Sequence, residues 1–69
     1  MFGQYIKKLR AKRKLSLREA ELLTGVSNAY LSQLENTTRS VPTLKIMRKI
    51  AKGYKVSMAK MVKQALKES

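Results

Sequence analysis

Residues 17–35, LREAELLTGVSNAYLSQLE, carry two short helical patterns separated only by Thr24-Gly25-Val26-Ser27. Gly25 can take the left-handed conformation that ends one helix, and two residues later Ser27 offers a side-chain oxygen to cap the next. Helices joined this tightly must cross steeply, as in a helix-turn-helix. The motif is therefore placed at about 17–35, with its second helix at about 28–36.

What can be built around this element is bounded by length. Sixty-nine residues make one small domain, read here as a single unit over 1–69. A chain of this size buries only about 60% of its unfolded surface, so its core must be economical. The chain has no cysteine and no histidine. No disulfide helps it, and the usual zinc ligands and the commonest general base are missing. No metal, cofactor or enzyme activity is expected. The opening MFGQYIKKLRAKRK spaces its apolar residues, so neither a signal peptide nor a membrane span is expected, and the protein should be soluble and cytoplasmic.

Sixteen Lys and Arg stand against four acids, a net charge of +12 with a sequence pI of about 10.5. The distribution is uneven: Lys7, Lys8, Arg10, Lys12, Arg13 and Lys14 crowd one end, and residues 36–67 carry nine basic residues and no acid. Three of the four acids, Glu19, Glu21 and Glu35, lie inside the motif. A basic surface often serves only solubility. Beside a motif whose second helix can protrude into a DNA major groove, it points to nucleic acid.

Five helical segments with short connections account for most of the chain, which makes the expected fold all-α. In the first, Phe2, Tyr5, Ile6 and Leu9 recur at helical spacing, with an end near Arg13. Ser16 is an N-cap before Leu17, and Glu19 three residues on completes a capping box; this second helix runs to about Thr24. The third starts after Ser27, turns Tyr30, Leu31 and Leu34 inward, and ends around Asn36. Residues 37–42 form the longest non-helical stretch. Thr43 then caps a fourth helix with Leu44, Ile46, Met47, Ile50 and Ala51 as its apolar stripe, which Gly53 is expected to end or weaken. Ser57 can cap a fifth, where Met58, Met61, Val62, Ala65 and Leu66 repeat at helical spacing. That stripe either closes the core or forms a dimer face, a use to which adaptable methionines are suited.

The combination resembles the Cro/phage-repressor helix-turn-helix family, also called XRE-like, from Phe2 to about Val62. Its most specific part is GVSNAYLSQLE, followed by Pro42-Thr43-Leu44 and by the Val56-Ser57 that opens the last helix. The resemblance implies a compact five-helix, lambda-repressor-like DNA-binding domain with its helix-turn-helix at helices two and three. It implies a transcriptional regulator, most often a repressor, that is a homodimer at least on double-stranded DNA. It also implies a bacterial or phage-type protein associated with the nucleoid.

Residue by residue, the resemblance makes helix three the recognition helix. Val26, Leu31 and Leu34 match core-facing positions and leave Ser27, Asn28, Ala29, Ser32 and Gln33 outward as base contacts. The Asn28 and Gln33 amides can each bond bidentately to adenine N6 and N7, with about 1–3 kcal/mol of discrimination apiece; Ala29 can touch a thymine methyl, and Ser27 and Ser32 can bond to bases or phosphates. Taken alone, Asn28 also suits the polar start of a helix and Gln33 a solvated surface. The resemblance nominates Ser16, Arg18, Asn36, Thr38, Arg39 and Lys45 for phosphate contacts, helped by free amides at the Ser16-capped helix start. For each basic residue singly, a solvated face is an equally good account. In phage repressors similar to this chain, an arginine of helix one and a glutamate ending helix three form a largely buried ion pair. Here those residues are Arg10 and Glu35, which makes Arg10 structural.

Three positions depart from the family pattern. Glu21 stands where a small alanine is usual, and is expected to reach solvent or find a cation. Thr37 and Lys55 stand where glycine is common, with Gly53 expected to take over the second of those helix endings. Other classes share some of these features. A membrane-active basic peptide would use helices one and five as amphipathic surfaces, which the capped five-helix pattern argues against. A nonspecific basic nucleic-acid binder would have no need of Asn28 and Gln33. A small regulatory partner, antitoxin-like or anti-repressor, keeps the fold with a different use. No effector segment follows the motif in these residues, so no small-molecule ligand is expected.

Overall fold

The local signals around the second helix close as a capping box. The Glu19 amide donates to Ser16 Oγ at 3.0 Å, and the Ser16 amide donates to Glu19 Oε1 at 2.8 Å. In the computed structural model, which describes residues 2–36 and 41–67, helix α2 (Leu17–Thr24) starts there. It ends at Gly25, whose φ of 77° is left-handed and whose amide donates to the Glu21 carbonyl. Thr24 secures the turn: its hydroxyl donates to the Ala20 carbonyl at 2.8 Å and accepts from the Val26 amide at 3.1 Å. Helix α3 (Asn28–Asn36) follows at once, with Ser27 Oγ accepting from the Tyr30 amide. The flanking helices are α1 (Phe2–Lys12), α4 (Leu44–Tyr54) and α5 (Met58–Lys67), and no strand occurs among the described residues. Thr43 caps α4 and Ser57 caps α5 through their hydroxyls.

Helices α1 and α4 end in the same way. Lys14 (φ 55°) and Lys55 (φ 56°) both take the left-handed conformation, and the residue after each reaches five residues back, Leu15 to the Arg10 carbonyl and Val56 to the Ala51 carbonyl. These are Schellman caps with lysine where glycine is the unstrained choice. Leu15 and Val56 then pack against the core, so the apolar contact made by the residue after the cap holds the strained backbone. Gly53 consequently does not end α4, contrary to the expectation from sequence. It is the penultimate residue of the helix, where α2 comes too close for a side chain: a Cβ at Gly53 would meet Thr24 Cγ2 at 2.5 Å, Thr24 Cα at 2.8 Å and the Leu23 carbonyl oxygen at 2.9 Å.

The core runs through all five helices and includes Phe2, Ile6, Ala20, Leu31, Leu34, Ile50, Tyr54 and Met61, with Val26 of the turn. Helix α2 packs on α4 and α3, α1 on α3 and α5, and α4 on α5. Met61 and Ala65 are buried in this core and Met58 packs against it, so most of the α5 stripe closes the fold; Leu66, 68% exposed, stays on the surface. Leu44 departs from the expected inward stripe of α4. It is 63% exposed, because it occupies the first position of the helix, ahead of the Met47, Ile50, Ala51 and Tyr54 face that meets the core. No described helix is long and apolar enough to cross a membrane.

Candidate nucleic-acid interface

Helix α3 has two chemically distinct sides. Leu31 and Leu34 are buried at its back, and Tyr30 packs against the same core. On the other side Ala29 and Gln33 are exposed, Asn28 and Ser32 are half-buried, and Ser27 is exposed just before the helix. Residues 28, 29, 32, 33 and 36 recur at the spacing of one helical face, so the small and amide side chains form a continuous strip. Asn36 lies at its far end and is turned onto its own helix, Nδ2 donating to the Ser32 carbonyl at 2.8 Å and approaching Ser32 Oγ at 3.5 Å. That bond ties Asn36 to the end of α3.

Asn28 is held from the other helix of the motif. Glu21 Oε1 accepts from the Asn28 backbone amide at 3.1 Å and from Asn28 Nδ2 at 2.5 Å. The expectation that Glu21 must reach solvent or a cation is corrected: its carboxylate turns to the first amide of α3. An anion at a helix N-terminus is favourable, because the unpaired amides carry partial positive charge there. The sequence offered one signal for this, a glutamate where α2 and α3 approach closely, but not its partner.

The same strip is braced from beneath. Arg10 of α1 donates through Nε and Nη2 to the two carboxylate oxygens of Glu35, while its Nη1 donates to the Leu15 carbonyl. Hydrogen bonding to Glu35 raises the Arg10 pKa above its ordinary value, although burial opposes it. Arg13, which the sequence reading did not single out, donates to the Leu9 carbonyl and places its guanidinium 5.8 Å from the centre of the Tyr54 ring. Burial pushes the Tyr54 phenol pKa up. Two arginines of the basic N-terminal cluster thus face into the fold.

Arg18 and Lys45 are exposed, as is Ser16. The capping box alters the picture of free amides at the start of α2: the amides of Ser16 and Glu19 are taken, and the Glu19 carboxylate already sits at that helix start. The Ser16 backbone amide, through its hydrogen bond, and then the Ser16 hydroxyl hold the Glu19 carboxyl below its usual pKa. Thr38 and Arg39 lie outside the described residues, as does Thr37. Among the described residues no group of three or more acidic, histidine or cysteine side chains is placed to hold a metal ion.

A family model described as helix-turn-helix matches residues 6–61. The chain belongs to this family. It is 36% identical over 55 residues to the HTH-type transcriptional repressor RghR of Bacillus subtilis (strain 168), and equally so to the uncharacterized HTH-type transcriptional regulator RghRB of that organism. Each match covers 80% of this chain but 41% and 40% of the relatives, so the chain spans about two-fifths of the length of these curated relatives. Its fold is similar to that in the crystal structure of SinR, the master regulator for biofilm formation, in complex with DNA. The TM-score is 0.81 at 31% identity, covering 90% of this chain and 98% of that one. The all-α, five-helix architecture expected from the sequence is thus that of a known DNA-bound regulator.

Proposed function

We propose that this helix-turn-helix protein binds double-stranded DNA sequence-specifically, with α3 in the major groove, and regulates transcription as a repressor. The observation that carries the reading is the polar strip of α3, held rigidly between the Glu21 contact at its start and the Arg10–Glu35 pair at its end, on a chain of net charge +12. Similarity to a transcriptional repressor and to a regulator solved on DNA supports it.

In this reading Asn28 and Gln33 each offer a donor and an acceptor to adenine, Ala29 meets a thymine methyl, and Ser27 and Ser32 bond to base edges or phosphates. Ser16, Arg18, Asn36, Thr38, Arg39 and Lys45 hold the backbone and fix the register without reading sequence. Two copies bind half-sites about 34 Å apart, one turn of B-DNA. The protein works in the cytoplasm, on the nucleoid.

Selection from random duplexes tests the reading. An enriched sequence with two-fold symmetry is expected, and Asn28→Ala and Gln33→Ala should relax it at particular positions. Affinity should fall with salt at about −0.9 in log–log slope per neutralised phosphate. A steep salt slope with no enriched sequence identifies a nonspecific basic binder and sinks the specific reading. One-to-one binding to a single half-site by a monomer sinks the dimer.

A further inference from the structure

Glu21 does more than fill a gap between α2 and α3. A carboxylate can only accept hydrogen bonds, so its contact with Asn28 settles which end of the Asn28 amide faces it: Nδ2 turns to Glu21 and Oδ1 turns away. The same Oε1 also takes the backbone amide of Asn28. A single oxygen lying between these two nitrogens of one residue uses the Nδ2 hydrogen on the Cβ side, nearest the backbone. The other Nδ2 hydrogen and Oδ1 stay side by side on the free edge of the amide. Adenine presents the complementary pair in the major groove, an acceptor at N7 and a donor at N6. Flipping the amide would set Oδ1 against the carboxylate and leave Nδ2 in its place, so the charge makes the orientation one-sided.

We propose that Glu21 is a specificity-positioning residue, which locks the Asn28 side chain in the one orientation that reads adenine. The inference rests on the DNA-binding reading above and extends it to a residue that itself touches no base. Its chemistry is that of a second side chain fixing the rotamer of a reader, which removes the entropy of ordering that reader on DNA. Because the same carboxylate caps the first amide of α3, the lock and the start of the recognition helix move together.

The test is duplex selection with the wild-type chain, Asn28→Ala, Glu21→Ala and Glu21→Gln. Asn28→Ala identifies the base position that depends on Asn28. Wild type should prefer adenine there, and Glu21→Ala should lower that preference by about tenfold. Preferences elsewhere in the site and the salt slope should stay as in wild type. Glu21→Gln keeps size and polarity but can present either an acceptor or a donor, so it should lose the same preference while keeping the fold intact. A preference at that position for another base overturns the proposal. So does an unchanged adenine preference in both Glu21 variants, or a uniform loss of affinity at every position, which is what a merely structural glutamate would give. If wild type enriches no sequence, the DNA-reading function itself has failed, an outcome distinct from a selected site indifferent to Glu21.

Discussion

Arg10 and Glu35, twenty-five residues apart, meet through two parallel bonds, Nε to Oε2 at 2.7 Å and Nη2 to Oε1 at 2.8 Å. The Glu35 side chain is 3% exposed and that of Arg10 18%, so removing Arg10 leaves a buried carboxylate that cannot fall back on water. The bidentate geometry is specific to a guanidinium. Arg10→Ala should therefore destabilise the fold by about 3–5 kcal/mol, a large part of what a small domain has, whereas replacing both residues with apolar ones of similar volume should cost far less. Denaturant midpoints of the two single variants and the double variant check this. A single-variant loss below about 1 kcal/mol would mark the pair as a surface contact.

Gly53 sets two effects against each other. Alanine is favoured over glycine inside a helix by about 1 kcal/mol, which argues that Gly53→Ala should stabilise α4. Against this, two of the three atoms a Cβ would strike, Thr24 Cα and the Leu23 carbonyl oxygen, belong to backbone and cannot swing aside. Overpacking of this kind costs about 1–3 kcal/mol, so the steric term wins and the variant should melt lower. Trimming Thr24 to Ser removes Cγ2 while keeping the hydroxyl that secures the turn, and should not rescue it.

The left-handed lysine at Lys55 predicts the opposite sign. A side chain in that region costs about 1–2 kcal/mol relative to glycine, so Lys55→Gly should raise stability by about 1 kcal/mol after the added freedom of the unfolded chain is counted. Thermal denaturation reads the shift. A melting point below that of wild type would show that Lys55 makes a compensating contact.

Glu19 gives a pH dependence. Its folded pKa lies below the ordinary 4.5, so the folded state favours the ionised form. The capping box therefore contributes fully above that value, and the contribution is lost as pH falls through the lower folded pKa. Glu19→Gln removes this proton linkage. Plots of unfolding midpoint against pH for wild type and variant should converge on the acid side, where the wild-type curve falls more steeply.

The parts of the fold legible in the sequence were those decided within three or four residues. Ser16 with Glu19, Gly25, Ser27 and Thr43 announce helix ends through bonds that their own neighbours complete. Gly53 was misread for the complementary reason. Glycine near the end of an apolar pattern is ordinarily a stop signal, and only the approach of α2, residues 23 and 24 in the chain, shows that it is a contact instead. Leu44 has the right residue type for the core, but its place at the head of α4 leaves it outside.

The candidate site divides along the same line. That Asn28 and Gln33 share a face with Ala29 and Ser32 follows from helical period. That Glu21 is bonded to Asn28 does not, since the two are separated by the turn and the bond depends on the angle at which α2 and α3 cross. A glutamate in place of the usual alanine marked the position without naming its partner. Arg13 was equally silent, because its neighbour Tyr54 stands at the far end of α4.

The close contact of Gly53 with Thr24 reaches into genetics. Thr24 is the last residue of α2 and its hydroxyl holds the turn that launches α3, so a bulkier allele at codon 53 should strain the turn that leads into the helix carrying Asn28 and Gln33 without altering either. On the reading proposed for α3, a screen for defective binders would recover such alleles together with changes at 28 and 33. Intragenic suppressors would separate the two groups: because two of the three atoms in the way belong to backbone, codon-53 alleles should be restored by reversion to glycine rather than by changes at Leu23 or Thr24.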